Sequence, residues 1–528
     1  MSGDTVREVT RDLMRAFGLT TVFGNPGTTE VPFLRDWPSD FRYVLGLQEA
    51  AVVAMADGYA QAGGRPVLVN LHSAGGLGHG LGHVYNAYRN RTPMIVTAGQ
   101  QVRSLLPGEP FLGATDAASF PKPYVKWSCE PARAEDVPAA LAHAFHMSTQ
   151  PPYGPTFVSI PADDWDVETT SGFTPRPRIA GPVADPDALR DLVSAVDRSK
   201  RPGIVVGPAV DVEGAVADMV TLAERIQAGV WVSPMSPRCS FPEDHPLFQG
   251  FLNPEQRFIA NALERYDLVL VFGAPVFTHH VFRGAAEQPL PELFVLSDDD
   301  ELLARASHGT GIRTMLRPAL RQLSELVTEI DRPAPQPLAR PEISLDGPAV
   351  SGAKLFSLLS EMLPDNAIVV EEAPSHRQIM HDHLPIRSRQ TGFLTVASGT
   401  LGYGLPAAVG AALARPDRRI VAVIGDGSSM YGFQAVWTAV REHLPVTFVI
   451  VDNSQYAALK IMADADGIKV PGVELGGIDF VALATGMGCP GVLVQSVAGL
   501  RAALAQSLVD DGPTLLHVPV VDEIASPY

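Results

Sequence analysis

Short apolar runs alternate with stretches of helical spacing along the whole chain. Residues 20–23, 67–71 and 94–97 in the first third, 203–206 and 268–272 in the middle, and 419–424 and 444–451 in the last third are rich in β-branched residues and bounded by turn formers. Each reads as a buried strand. Residues 48–62 and 428–443 carry apolar side chains at roughly helical spacing and read as helices. Strand–helix–strand alternation predicts parallel sheets covered on both faces. Two proline-rich polar segments, residues 174–182 and 331–341, interrupt the pattern and read as linkers. The expectation is an α/β protein of three doubly wound parallel-sheet domains, residues 1–175, 183–330 and 345–528. No short internal repeat is visible.

The chemistry-bearing residues stand where these strands end. Gly425-Asp426-Gly427 closes one run and Asn453 closes the next. With a crossover helix between them, Asp426 and Asn453 lie side by side at the carboxyl ends of parallel strands, where open α/β sheets bind ligands. Gly425 and Gly427 let the backbone approach a bulky anion, and the helix start near Ser428 and Ser429 offers unpaired N–H groups to it. A carboxylate, a carboxamide oxygen and a diphosphate are hard oxygen ligands of the kind Mg²⁺ prefers. On these residues alone, an ordinary βαβ turn that happens to read Gly-Asp-Gly stays open. In the first block Glu49 opens the helix of residues 48–62, where a carboxylate also complements the helix dipole. His72 stands just past the strand of residues 67–71, beside a glycine-rich turn. No G-x-G-x-x-G follows either strand of the middle block, so a nucleotide is not indicated there.

Composition narrows the function classes. A chain of 528 residues exceeds one ordinary domain. With 46% hydrophobic and 19% charged residues it reads as a well-packed soluble protein. The net charge of -18 argues against nucleic-acid binding by phosphate neutralisation. Cys129, Cys239 and Cys489 are far apart and form no disulfide or zinc pattern, which fits a reducing cytoplasm. The N-terminal residues lack an apolar signal core, and no apolar stretch is long enough to span a bilayer. The expectation is a cytoplasmic protein with neither nucleic-acid nor membrane partners.

The spacing from Gly425-Asp426-Gly427 to Asn453 resembles the signature of thiamine diphosphate enzymes. The resemblance implies that Asp426, Asn453 and the Gln455 carbonyl hold Mg²⁺, which in turn holds the diphosphate. Many members read Asn-Asn where this chain has Asp452-Asn453, but the ligand is the second residue. The segment around Glu49 resembles the one carrying the glutamate that bonds and activates the cofactor's pyrimidine ring. That task wants a carboxyl in an apolar site, able to share a proton with a weak base. Stretches at residues 22–27, 95–101, 231–234, 273–277, 401–408 and 423–427 resemble the benzoylformate decarboxylases, a family of thiamine diphosphate-dependent 2-oxo acid decarboxylases with the pyruvate decarboxylase-like fold.

This resemblance implies a pyrimidine-binding domain, a central domain and a diphosphate-binding domain. It also implies a cofactor lying between the first domain of one subunit and the third of another, in a homo-oligomer that is at least a dimer and commonly a tetramer. The family's active-site histidines fall on His72 and His280, where only the register of residues 273–277 selects His280 over His279. Its active-site hydroxyl falls on Thr28. Leu401 matches the residue that wedges the cofactor into a V shape, Gly399 the carbonyl that bonds its amino group, and Tyr456 a further cofactor contact. Phe111, Leu112, Thr395, Leu459 and Met462 join Thr28 and His72 at the substrate pocket, with Thr395 and Met462 standing where the family carries phenylalanines. The implied reaction is non-oxidative decarboxylation of benzoylformate, or a related aryl or bulky 2-oxo acid, to an aldehyde and CO₂. A phosphonopyruvate or indolepyruvate decarboxylase would differ in pocket charge and size. A carboligase resembling acetolactate synthase, or a protein of this fold that binds without catalysing, are the alternatives.

Overall fold

The structure, a computed structural model, describes residues 4–169, 176, 180–280, 284, 288–388 and 390–521. Most of the segment 174–182, the exact end of the first expected domain and the tail from residue 522 lie outside the described residues.

Three six-stranded sheets, parallel at every pairing, carry the chain. The first takes Thr21–Gly24, Arg42–Leu45, Val67–Leu71, Met94–Gln100, Ser128–Cys129 and Thr156–Pro161 in the order 2-1-3-4-6-5, counted along its own chain. The third takes Ile368–Glu372, Phe393–Thr395, Ile420–Gly425, Val446–Asp452, Gly491–Leu493 and Thr514–Pro519 in that same order. The middle sheet differs: Pro202–Val206, Gly229–Val232, Phe248–Phe251, Leu268–Phe272, Glu292–Ser297 and Thr310–Arg313 run 3-2-1-4-5-6. The first and third units thus repeat one topology without a repeat visible in sequence.

The expected strands at residues 67–71 and 268–272 form as read, and every residue in both is buried, so 268–272 is apolar throughout and the one polar residue of 67–71, Asn70, donates to the Thr97 hydroxyl. The expected helix at 48–62 forms as Glu49–Gly63. The expected helix at 428–443 does not form as one. It splits into Asp426–Ser429 and Ala435–Arg441. Gly432 sits in the break, where a Cβ would stand 2.8 Å from the Gly402 carbonyl oxygen. A continuous helix carries no such close approach, and the chain takes two tight turns instead, Tyr431 N–H to Ser428 O and Gly432 N–H to Ser429 O.

Two helices join the first and third units. Glu49–Gly63 and Gly404–Ala414 are apolar nearly all round and almost wholly buried, as a helix sandwiched between sheets must be. Their backbones touch: a Cβ on Gly58 would overlap the Ala407 carbonyl, and one on Gly410 would overlap the Met55 carbonyl. Arg238, 3% exposed, ties all three units together. It donates to Gln61 and pairs with Asp211, whose other oxygen accepts the Thr391 N–H at 2.8 Å. The segment 331–341 is not a loose spacer. Arg332 donates to the Ser199 and Val196 carbonyls, and Arg340 to the carbonyls of Glu243 and His381. Among the described residues no helix is long and apolar enough to cross a membrane.

Candidate active site

In the third sheet Gly425 pairs with Val451, so Asp426 leaves one strand beside the point where Asp452 and Asn453 leave the next. Asp426 is 5% exposed. Its Oδ1 accepts the Gly427 N–H at 2.8 Å, while its Oδ2 is buried with no hydrogen-bond partner. Burial pushes this carboxyl up to about 7, and the neighbouring Asp452 charge adds to the rise. Asn453 is half-buried, its Oδ1 accepting the Gln455 N–H at 3.3 Å. Ser428 and Ser429 are buried at the turn, with the Ser429 hydroxyl on the Asp426 carbonyl. The Tyr456 ring covers Gly427, where any Cβ would overlap it. An orphaned carboxylate oxygen beside a carboxamide oxygen, in a glycine-lined turn, suits a small hard cation.

Above this turn runs the loop of Gly399, at φ +77°, and the half-buried Leu401. Glu372 anchors it from below. Its two carboxylate oxygens accept the Gly402 and Gly404 N–H groups at 2.6 Å each, and burial pushes it up to about 8 in spite of them. Nothing in the spacing of motifs singles out Glu372. A pair of acids ending a buried strand, Glu371-Glu372, was the available signal.

The first sheet builds the second group. Glu49, at the start of its helix, accepts from Asn25 Nδ2 at 3.2 Å and lies 3.1 Å from His79 Nδ1. His72 follows strand Val67–Leu71, and both its Cβ and the Glu49 carboxylate lie within 3.5 Å of where a Gly76 Cβ would be. His72 Nδ1 is 2.8 Å from Glu30 Oε2. Glu30 is 1% exposed and also accepts the Gly27 and Gly99 N–H groups, both at 2.9 Å, and the Thr29 hydroxyl. Gly27 admits the imidazole because any Cβ there would overlap the ring. Glu30 was not singled out in sequence, although it closes the same loop as Thr28. The hydroxyl in contact with His72 is that of Thr29, at 3.1 Å, whereas Thr28 is exposed at the start of the turn.

The expected pocket residues divide. Leu112 reaches the His72 region, since its carbonyl accepts the Ser73 hydroxyl, and Phe111 beside it is 85% exposed. Leu459 and Met462 stand three residues apart on helix Ala457–Ala465, one half exposed and the other half-buried. Thr395 does not belong with them. It is 2% exposed, and its hydroxyl lies between Glu371 and Arg377, where it completes a buried ion pair. The Thr395 side chain serves that pair and adds almost no exposed surface to a pocket wall. His280 lies in the middle unit, exposed, with its backbone N–H on the Pro254 carbonyl. His279 is exposed as well, so exposure does not separate the two. A cleft of about 640 Å³ opens between the first and middle units, walled by Arg91, Lys126, Phe277 and Asp298, and none of the residues above lines it.

Known proteins share this arrangement over the whole chain. Three family models match: thiamine pyrophosphate enzyme, N-terminal TPP binding domain, at residues 4–120; the central domain, at 189–323; and the C-terminal TPP binding domain, at 373–518. Benzoylformate decarboxylase of Pseudomonas aeruginosa is 40% identical over 521 residues, 98% of each chain. Acetolactate synthase isozyme 1 large subunit of Escherichia coli is 26% identical over 536 residues, 95% of this chain and 92% of that one. Among solved structures, the thiamine diphosphate-dependent 4-hydroxybenzoylformate decarboxylase of Rhodococcus jostii RHA1 superposes with a TM-score of 0.95 at 41% identity, covering 98% of this chain and all of that one. Benzoylformate decarboxylase of Polynucleobacter necessarius superposes at 0.96 with 37% identity, covering 99% of each. The chain belongs to the thiamine pyrophosphate enzymes, within the benzoylformate decarboxylase family of 2-oxo acid lyases.

Proposed function

We propose that this chain carries out thiamine diphosphate- and Mg²⁺-dependent, non-oxidative decarboxylation of benzoylformate or a related aryl or bulky 2-oxo acid, releasing an aldehyde and CO₂. The observation that carries the reading is Asp426, a buried carboxylate with one oxygen left unpaired beside Asn453 at the mouth of a parallel sheet. Asp426, Asn453 and the Gln455 carbonyl would hold Mg²⁺, and the backbone from Gly425 to Ser429 would face the diphosphate. Leu401 and the Gly399 carbonyl would fix the cofactor's bend, with Tyr456 alongside. When bound, thiamine diphosphate supplies the electron sink for the pair released with CO₂.

The protein's own groups do the rest. Glu49 would hold and return a proton at the pyrimidine. Thr28, His72 and His280 would orient the substrate carboxylate and move protons to and from the substrate. Glu30 keeps the His72 ring in one orientation with Nδ1 turned inward, which leaves Nε2 for the substrate. Phe111, Leu112, Leu459 and Met462 would form an apolar wall for the substrate's side chain and exclude water. The working unit would be a homo-oligomer, at least a dimer and in its larger form a tetramer. Exposed apolar residues near both groups, among them Val31, Phe111, Tyr431 and Leu459, support this because a partner would cover them.

The test is incubation of the protein with Mg²⁺, thiamine diphosphate and benzoylformate, following CO₂ and benzaldehyde. Release of both in equal amounts is expected. Cofactor binding with no benzaldehyde would move the substrate to aliphatic or branched 2-oxo acids, and a hydroxyketone product would favour the carboligase reading.

A further inference from the structure

Asp452 precedes the candidate ligand Asn453 in the chain, and the structure gives its charge a consequence. It ends strand Val446–Asp452, beside Asp426 at the end of the adjacent strand, where Gly425 pairs with Val451. Both of its own oxygens are taken. Oδ2 lies 2.7 Å from His517 Nε2, and Oδ1 accepts the Ser454 N–H at 2.8 Å and the Ser454 hydroxyl at 3.0 Å. Ser454 sits at φ +56°, so the Asp452 side chain also closes the left-handed turn that presents Asn453 and Gln455. His517 comes from the adjacent strand Thr514–Pro519 and packs edge-on against Phe480. The carboxylate is therefore held behind the candidate ligands as a fixed charge. An asparagine could make the same contacts through its amide. What the aspartate adds is one negative charge beside Asp426.

We propose that Asp452, held by His517 and Ser454, is a positioning and charge-setting residue that strengthens cation binding at this turn and steepens the dependence of the cofactor's diphosphate on that cation. This rests on the reading of Asp426 and Asn453 as Mg²⁺ ligands. Two carboxylates a few ångströms apart attract a divalent cation more strongly than one does, and repel a bare diphosphate more strongly too. With the cation present the extra charge favours the complex. Without it the same charge disfavours the cofactor alone.

Calorimetric titration of thiamine diphosphate into the apoprotein, in saturating Mg²⁺ and in EDTA, tests this on wild type and Asp452→Asn. With Mg²⁺, Asp452→Asn is expected to bind about tenfold more weakly than wild type, and in EDTA about tenfold more tightly. Equal metal dependence in the two proteins would overturn the proposal, because the Asp452 charge would then be cancelled at His517. Should Asp452→Asn not fold, Asp452→Ser, which removes the same charge, takes its place with the same two shifts expected. Asp426→Ala separates this inference from the underlying reading. Unchanged Mg²⁺-dependent binding in Asp426→Ala would remove the metal site itself. A loss there, with Asp452→Asn unchanged, would remove only the role of Asp452.

Discussion

Side chains at the two sheet mouths are held by neighbours whose removal should separate chemistry from binding. Glu49→Gln keeps the Asn25 contact but cannot hold the proton, so turnover should fall to near zero with circular dichroism and unfolding temperature unchanged. Wild-type-like turnover in that variant would take Glu49 out of the mechanism. Glu30→Gln acts through His72. A carboxamide in either orientation sets its NH2 against the Gly27 or the Gly99 N–H, so the hold on Nδ1 is lost, kcat should drop by about 10²-fold, and the unfolding temperature should fall with it. The affinity for thiamine diphosphate, measured calorimetrically, should stay close to that of wild type, because Glu30 lies in a turn of the first unit and the proposed diphosphate turn in the third. His83 offers a test away from the site. It is 2% exposed with Nδ1 unpartnered, and burial holds it down to about 4. The unfolded chain therefore takes up the proton first. Stability is whole above about 6.5 and is lost as the pH falls from there toward 4, by about 2 kcal/mol at pH 5. Urea unfolding of His83→Leu at pH 7.5 and pH 5 should show a pH-dependent loss smaller by that amount.

Among the elements, those legible in sequence are the ones fixed by their own composition. Strand Leu268–Phe272 is buried at every position, so its apolar run needs no partner to be recognised. Asp426 between two glycines announces a turn that admits an anion, and the structure leaves one of its oxygens unpaired there. What sequence did not show depends on residues far along the chain. The break at Gly432 is imposed by the Gly402 backbone, and Glu30 gains meaning only when the fold delivers His72 to it. Thr395 misled for the same reason, since Glu371 and Arg377 claim its hydroxyl from other elements. The contact between helices Glu49–Gly63 and Gly404–Ala414 makes this dependence measurable. Alanine normally favours a helix by about 1 kcal/mol over glycine. At Gly410 its Cβ would overlap the Met55 carbonyl, and forcing two packed backbones apart costs about 1–3 kcal/mol or more. Gly410→Ala should therefore lower the unfolding temperature or yield insoluble protein. Gly486→Ala, whose Cβ meets nothing within 4 Å, should leave it unchanged or raise it.

At the scale of the whole molecule, the two groups of residues are carried by different sheets, Glu30, Glu49 and His72 by the first and Asp426, Asn453 and Gln455 by the third. The sheets share one strand order and are locked together within a chain through the helices that Gly58 and Gly410 let touch. If each complete site takes its first-sheet half from one chain and its third-sheet half from another, lesions in the two halves must complement. Glu49→Gln and Asp426→Ala should each be inactive alone. Unfolded together and refolded as a mixture, half of the resulting dimers are mixed. Each mixed dimer then holds one doubly damaged site and one intact site, so about a quarter of wild-type activity should return. If both halves come from the same chain, every site carries one lesion and no activity returns. The recovered fraction, read against the two variants refolded separately, thus reports which chain completes the site, and sedimentation of the same mixture fixes the number of chains that share it.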